Sequence, residues 1–232
     1  MKYDTPLLRA TLLRRYKRFL ADVLLNGEQI TVHCANTGSM KNCVVEGAPC
    51  WLWDSRNAKR KYRYTWELAT TTSGHCAGIN TMRANALVEE CLRLRKIAPL
   101  ERYTFFKREV MYGKKSRIDF FLSDAHSRCY VEVKSVTLGV GDGVGLFPDA
   151  KSVRATRHLR DLISISQGGD RAVLLFCILH SGIEKVSPAD DIDPDYGAAL
   201  RDAAESGVEL LAYRSRFNAE EMLIDAPIPV VL

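Results

Sequence analysis

No run of apolar residues in this chain approaches the ~20 that a helix needs to cross a bilayer. The opening residues, Met1-Lys2-Tyr3-Asp4-Thr5-Pro6, carry no apolar core of signal-peptide length. These two absences argue against a membrane protein and give the expectation of a cytoplasmic one. The seven cysteines are odd in number and include no Cys-x-x-Cys, which argues against a disulfide framework. His33-Cys34 and His75-Cys76, with Cys43 and Cys50, invite a zinc reading, but their spacings are not those of zinc modules and free thiols are expected instead. There is no internal repeat, no low-complexity segment and no helix-turn-helix, so operator recognition is not expected. The run Gly139-Val140-Gly141-Asp142-Gly143-Val144-Gly145 lacks the Lys-Ser/Thr ending of a P-loop, and the next helix starts too late for a dinucleotide turn. It reads as a flexible lid over a cleft or as a plain loop.

What the chain does have is a core and an uneven charge. Its 232 residues are 47% hydrophobic and 26% charged, values of a soluble globular protein with one large domain or two modest ones. The net charge of +5 divides sharply: residues 1–160 carry 28 Lys and Arg against 15 Asp and Glu, whereas residues 161–232 carry 5 against 13. A basic stretch of that size points to a polyanionic partner, most simply nucleic acid.

The first ~80 residues read as short strands, Leu8–Tyr16, Phe19–Leu25, Gln29–Ala35, Val44–Asp54, Lys61–Ala69 and Cys76–Asn80, with Asn26-Gly27 as a hairpin signal. Five or six strands in this length suggest a small closed barrel such as an OB-fold. The character changes near Asn80. Arg83–Lys96 has a helical apolar stripe. Strands follow at Tyr103–Tyr112, Arg117–Leu122 and Cys129–Leu138. A helix starts with Ser152 as N-cap, Arg171–Leu179 is a buried strand, Pro194–Ser206 is a helix closed by Gly207, and Val208–Tyr213 is a strand. The expected domains are 1–82 and 83–232.

Two of these strands carry the chemistry. Arg117-Ile118-Asp119-Phe120-Phe121 and Tyr130-Val131-Glu132-Val133-Lys134-Ser135-Val136 flank a polar turn, and symmetrical folding about it sets Asp119 opposite Glu132. Strand alternation then puts Asp119, Glu132 and Lys134 on one face and Ile118, Phe120, Val131 and Val133 on the other. Opposed carboxylates destabilise a sheet. A divalent cation between Asp119 and Glu132 would explain them, with Lys134 orienting a water or stabilising developing charge. The competing reading is an ordinary solvated strand face, because Glu-x-Lys also arises by chance.

Cations alternate with aromatics in Arg14-Arg15-Tyr16-Lys17-Arg18-Phe19 and in Lys59-Arg60-Lys61-Tyr62-Arg63-Tyr64. Arg15, Tyr16, Lys17, Arg18, Lys59, Arg60, Lys61 and Tyr62 are therefore candidates for phosphate contact and base stacking, against the alternative that the rings are core. His33-Cys34-Ala35-Asn36-Thr37-Gly38-Ser39-Met40 reads as a functional or tightly turned loop.

These segments together resemble the bacterial sugar fermentation stimulation protein A family. The resemblance rests on Arg14–Val23, His33–Met40, Lys59–Tyr62, Tyr64–Leu68, Ser116–Phe120, Tyr130–Leu138, Phe147-Pro148-Asp149-Ala150 and Val230-Val231-Leu232. It implies a mixed α/β fold, with an N-terminal OB-like barrel and a C-terminal restriction-endonuclease-like domain of the PD-(D/E)xK type. It also implies DNA binding without sequence preference and a link to the regulation of sugar (maltose) catabolism. In the nuclease superfamily the motif's Asp and Glu, here Asp119 and Glu132, hold the metal, and Lys134 is the catalytic lysine. The resemblance adds Glu90 from the first helix to the site. The family's Arg-Gly-x-Lys-His-Leu helix reads Arg154-Ala155-Thr156-Arg157-His158-Leu159 here, which implies a phosphate-facing role for Arg154, Arg157 and His158. Arg for Lys keeps the charge and changes its geometry. The family's Cys-Pro-Asn has Ala35 in place of its proline.

The resulting expectation is a DNA-binding protein, with RNA as the other candidate partner, that carries a Mg²⁺- or Mn²⁺-dependent phosphodiesterase site. Its rival is a catalytically idle nuclease fold that binds DNA as a regulator. The sequence leaves homo-oligomer formation open.

Overall fold

Short strands with alternating burial build the first third of the chain. The structure is a computed structural model that describes residues 1–112 and 116–232. Strands β1 (Leu8–Tyr16), β2 (Leu20–Leu25), β3 (Glu28–Cys34), β4 (Pro49–Asp54), β5 (Tyr64–Thr70) and β6 (Cys76–Gly78) lie in the order β3-β2-β1-β4-β5-β6. Parallel pairing of β3 with β5, through His33↔Thr65 and Cys34↔Trp66, closes five of them into a barrel. Asn26 and Gly27 both have positive φ (53° and 86°), as a two-residue hairpin requires, and this turn sets the β2–β3 register. Leu12, Val23, Val32, Leu52 and Trp66 fill the barrel. β4 and β5 start later than their apolar patterns suggest, so Asn57–Arg63 is an exposed loop rather than strand.

The rest of the chain forms a six-stranded mixed sheet. Helix α1 (Met82–Arg93) precedes β7 (Phe105–Tyr112), β8 (Ser116–Ser123) and β9 (Arg128–Val136). The short strands β10 (Leu138–Gly139) and β11 (Val144–Phe147) lead to α2 (Val153–Gln167), β12 (Arg171–Ile178), β13 (Lys185–Pro188), α3 (Pro194–Glu205), β14 (Glu209–Phe217) and β15 (Met222–Pro227). The sheet order is β15-β14-β12-β9-β8-β7, with β9, β12 and β14 parallel. β12 is buried on both faces, as an inner parallel strand should be. Its residues Val173, Leu175 and Cys177 join the α1 side, while Ala172, Leu174, Phe176 and Ile178 join the side covered by α2 and α3.

The glycine-rich run is not a free lid. β10 and β11 form a hairpin around it, and β11 continues into a small sheet by pairing with β13. Ser152 N-caps α2 by accepting from the Ala155 N–H at 3.1 Å, and Gly207 (φ 85°) follows α3. Asp193 ties the two helices: one oxygen caps α3 at the Tyr196 N–H and the other accepts from the Ser152 N–H at 2.8 Å.

The barrel is fastened to the sheet domain. Asp149 accepts from the Ser39 hydroxyl at 2.9 Å and from the Met40 N–H at 3.2 Å, and Asn42 donates to the Gly139 carbonyl. Ala77 of β6 pairs with His180 beyond β12. Fully buried Glu67 of β5 holds Arg83 of α1 at 2.9 Å and accepts from Asn80 at 2.8 Å.

Candidate active site and nucleic-acid interface

Asp124 fixes the β8–β9 hairpin by accepting from the N–H groups of His126 and Ser127 at the turn. The ladder then runs from Ser123↔Arg128 to Phe120↔Val131. Its next step would set Asp119 opposite Glu132, and there the two strands part. Across β8, the β7 ladder skips Glu109, whose φ is 51°. The break re-aims β8. Ile118 packs with α2 and α3, whereas Phe120 packs with α1, so these two do not share a face as strict alternation requires. Asp119 uses the gap: its Oδ2 accepts from the Val133 N–H at 2.8 Å, and its Oδ1 accepts from Asn85 of α1 at 2.8 Å.

Glu132 and Lys134 do share a face, the one covered by α2. Glu132 is only 3% exposed. Its Oε1 accepts from Lys134 Nζ at 2.7 Å and meets His158 Nδ1 of α2. Arg154 Nε donates to His158 Nε2 at 3.4 Å. A guanidinium has no acceptor to offer, so Nε2 accepts and the bonding network assigns the ring proton to Nδ1, facing Glu132. Glu132 Oε2 is buried and has no partner among the described residues.

The two carboxyls are pushed in opposite directions. Burial, and then the Glu132 charge, raise Asp119 above the ordinary carboxylate range, against the Val133 and Asn85 hydrogen bonds. Burial would raise Glu132 too, but His158 and Lys134 outweigh it and hold Glu132 low. Opposed shifts on neighbouring carboxyls mark sites built for chemistry as well as ion-pair networks.

Glu132 Oε2 is the carboxylate oxygen that could hold a cation without losing a donor, since both Asp119 oxygens already accept hydrogen bonds. No three His, Cys, Asp or Glu side chains converge on a common point among the described residues.

The profile of the sugar fermentation stimulation protein RE domain matches residues 82–221, and that of the SfsA N-terminal OB domain matches residues 13–79. The chain belongs to the sugar fermentation stimulation protein (SfsA) family. The homologue from Teredinibacter turnerae is 57% identical and that from Saccharophagus degradans 53%, each aligned over the full length of both chains. Among solved structures, Pyrococcus furiosus SfsA in complex with Ca²⁺ superposes with a TM-score of 0.89 at 26% identity, covering 100% of this chain and 98% of that one.

Within this SfsA fold the remaining candidates separate. Glu90 is away from Asp119: it faces β15 and holds the Met1 amine at 2.5 Å, so the α1 residue at the site is Asn85. Arg15 does not present its guanidinium to a ligand. It donates to the carbonyls of Arg18, Asn36 and Gly38 at 2.8–2.9 Å and clamps the 36–39 loop. The Tyr16 hydroxyl is bound to buried Asp22 at 3.1 Å. Arg60 lies over the Trp53 ring and donates to Thr65 at 3.2 Å, and Lys61 lies over half-buried Tyr62. Lys17 and Arg18 are exposed on the β1–β2 turn, and Lys59 and Lys61 on the β4–β5 loop. Arg154 and Arg157 are exposed on the first turns of α2 and border, with Arg117, a surface hollow beside His158. His158 itself is buried against Glu132 rather than turned to solvent. The sequence signal for Asn85 was its place as a neutral polar residue beside the buried stripe Ala84, Leu87, Val88.

Proposed function

We propose that this chain binds nucleic acid through its exposed cations and hydrolyses a phosphodiester at Asp119, Glu132 and Lys134, with a divalent cation held by the two carboxylates. The observation that carries this reading is the orphaned Glu132 Oε2, a buried carboxylate oxygen beside a second, half-buried carboxyl. Leaving such an atom without a partner is costly, and a cation removes the cost. The Ca²⁺ complex of Pyrococcus furiosus SfsA supports the same reading, since it is a hard cation on the same fold.

When bound, the cation would lower the pKa of a water and polarise a phosphoryl oxygen. The rest falls to the chain. Lys134 Nζ, already at Glu132, is placed to donate to an attacking water or a phosphate oxygen. His158 and Lys134 together fix Glu132 through Oε1, which leaves Oε2 as its open oxygen. Asn85 fixes Asp119. Arg154, Arg157, Lys17, Arg18, Lys59 and Lys61 contact the backbone without reading sequence.

One observation favours the idle-fold reading. Both Asp119 oxygens already have donors, and Lys134 is locked onto Glu132. Cleavage of labelled DNA and RNA in Mg²⁺, Mn²⁺ or EDTA separates the two. Metal-dependent cleavage that disappears in Asp119→Asn and Lys134→Ala, at matched binding, establishes the phosphodiesterase. Tight binding with no cleavage under either metal refutes it and leaves a DNA-binding regulator.

A further inference from the structure

A pocket of about 320 Å³ opens beside the carboxylates, where the barrel loop 36–38 faces α1, β9 and β11. Asn85 and Lys134 belong both to its lining and to the carboxylate site. Its volume is at the small end for ligand pockets, enough for a single ring system and its sugar. Three polar groups in its wall are short of partners. Asn36 is only 5% exposed; its Oδ1 accepts from the Gly38 N–H at 2.8 Å, while its amide nitrogen donates to nothing among the described residues. The Ser135 hydroxyl is buried without a partner among them. Asn85 gives its amide N–H to Asp119 and keeps its own oxygen as an acceptor. Val133 and Phe147 add apolar surface. A donor, a hydroxyl and an acceptor between apolar walls match the edge and faces of a nucleobase.

The pocket is also pre-formed. Arg15 clamps three carbonyls around the 36–38 turn, and Asp149 ties the next two residues to the second domain. Binding there requires little ordering of the protein. A base inside a duplex has its edge paired and its faces stacked, so it cannot enter such a pocket without leaving the helix.

Building on the proposed function, we infer that this interdomain pocket takes one unpaired nucleobase next to the scissile phosphate. The substrate class is then single-stranded nucleic acid, or a strand locally opened, rather than intact duplex. Asn36 and Ser135 contact the base, while Lys134 and the carboxylates meet the adjoining phosphate.

The test uses the full chain in EDTA, so that binding is read without cleavage. Single-stranded DNA and RNA oligonucleotides and the matching duplex are titrated. Each is prepared intact, with one central base removed, and with that base replaced by fluorescent 2-aminopurine. The expected result is an about tenfold weaker binding of the single strand when the base is missing, no such change in the duplex, and an altered 2-aminopurine signal on binding. Asn36→Asp keeps the bond to Gly38 and removes the donor. Ser135→Leu fills the pocket. Each should abolish the dependence on the base while leaving the melting temperature within a few degrees of wild type. If the chain binds strands but ignores the missing base, or if Asn36→Asp binds and discriminates like wild type, the pocket inference fails and the phosphodiesterase reading stands. If no nucleic acid binds under any condition, both fail. Preference between the DNA and RNA arms identifies the source of the base.

Discussion

Replacing His158 tests whether it faces phosphate or positions Glu132. The imidazole is 4% exposed and meets Glu132 Oε1, the oxygen that Lys134 also holds at 2.7 Å. Truncation to alanine removes a hydrogen bond to a charged, buried acceptor, worth about 1.5–3 kcal/mol. Glu132 then keeps Lys134 alone against burial and titrates upward, because burial favours the neutral acid and the His158 bond does most to oppose it. Its carboxylate also loses the contact that fixes which oxygen is open. Loss of a partner that orients a metal ligand costs about 10–100-fold in metal affinity. Titration calorimetry with Mn²⁺ on His158→Ala should show that loss. Binding to DNA in EDTA should change less than about twofold, because the ring is buried and supplies no phosphate contact. His158→Asn should recover most of the affinity, since its amide can donate near the Nδ1 position. Unchanged Mn²⁺ affinity in His158→Ala, together with a large drop in DNA affinity, would refute the argument and restore the phosphate-facing role.

Arg83→Ala should destabilise the chain by about 3–5 kcal/mol in urea unfolding, because it strands the fully buried Glu67 with only Asn80 beside it; Glu67→Leu/Arg83→Met should cost markedly less. His180 is 2% exposed, and burial first, then the neighbouring His75, lower its pKa from 6.5 to about 4. The folded chain therefore binds fewer protons than the unfolded one between those values. Its contribution is fully present above pH 6.5 and is lost as the pH falls to about 4, on the order of 3 kcal/mol in all. A stability–pH profile that does not flatten in His180→Leu would contradict this. The double variant Arg154→Ala/Arg157→Ala should weaken DNA binding and reduce the slope of log affinity against log salt by about 2, one phosphate contact for each arginine. An unchanged slope would remove α2 from the binding surface.

The local parts of the fold could be read from the sequence because short-range chemistry determines them. Asn26-Gly27 can only turn one way, Ser152 caps where the apolar stripe begins, and the β8–β9 register up to Phe120↔Val131, one step short of Asp119 and Glu132, follows from the turn that Asp124 pins. What escaped reading depends on distant partners. β13 is four residues long and exists because β11 lies beside it. β15 is held by β14 along its length, and its first residue is tied to the start of the chain: the Met222 N–H donates to the Met1 carbonyl and the Met1 amine to the Met222 carbonyl. No pattern in Met222–Pro227 announces that. The same holds at the site. Alternation correctly puts Glu132 and Lys134 on one face, but it assigns Ile118 to the wrong one. The positive φ of Glu109 breaks the neighbouring ladder, and nothing about a glutamate in that strand signals the break. His158 stands between basic neighbours in sequence, and only the packing of α2 on β9 turns it onto Glu132.

The arrangement explains why the carboxylates sit where the two strands part. Inside a complete ladder, the Val133 N–H would pair with backbone, and an opposed carboxyl would have no donor. Where β8 leaves β9, that N–H is released, and Asp119 takes it in place of the missing strand partner. The gap is then closed from both faces, by Asn85 of α1 on Asp119 and by His158 of α2 on Glu132. Buried Glu132 and half-buried Asp119 can be tolerated there because each is held by a different layer, with Lys134 compensating the Glu132 charge. Among the described residues, the barrel adds no group to the carboxylates. Its loop, tied down by Asp149, instead forms one wall of the adjoining pocket. The sheet domain therefore supplies the carboxylates and the groups that hold them, and the barrel supplies a wall of the pocket beside them.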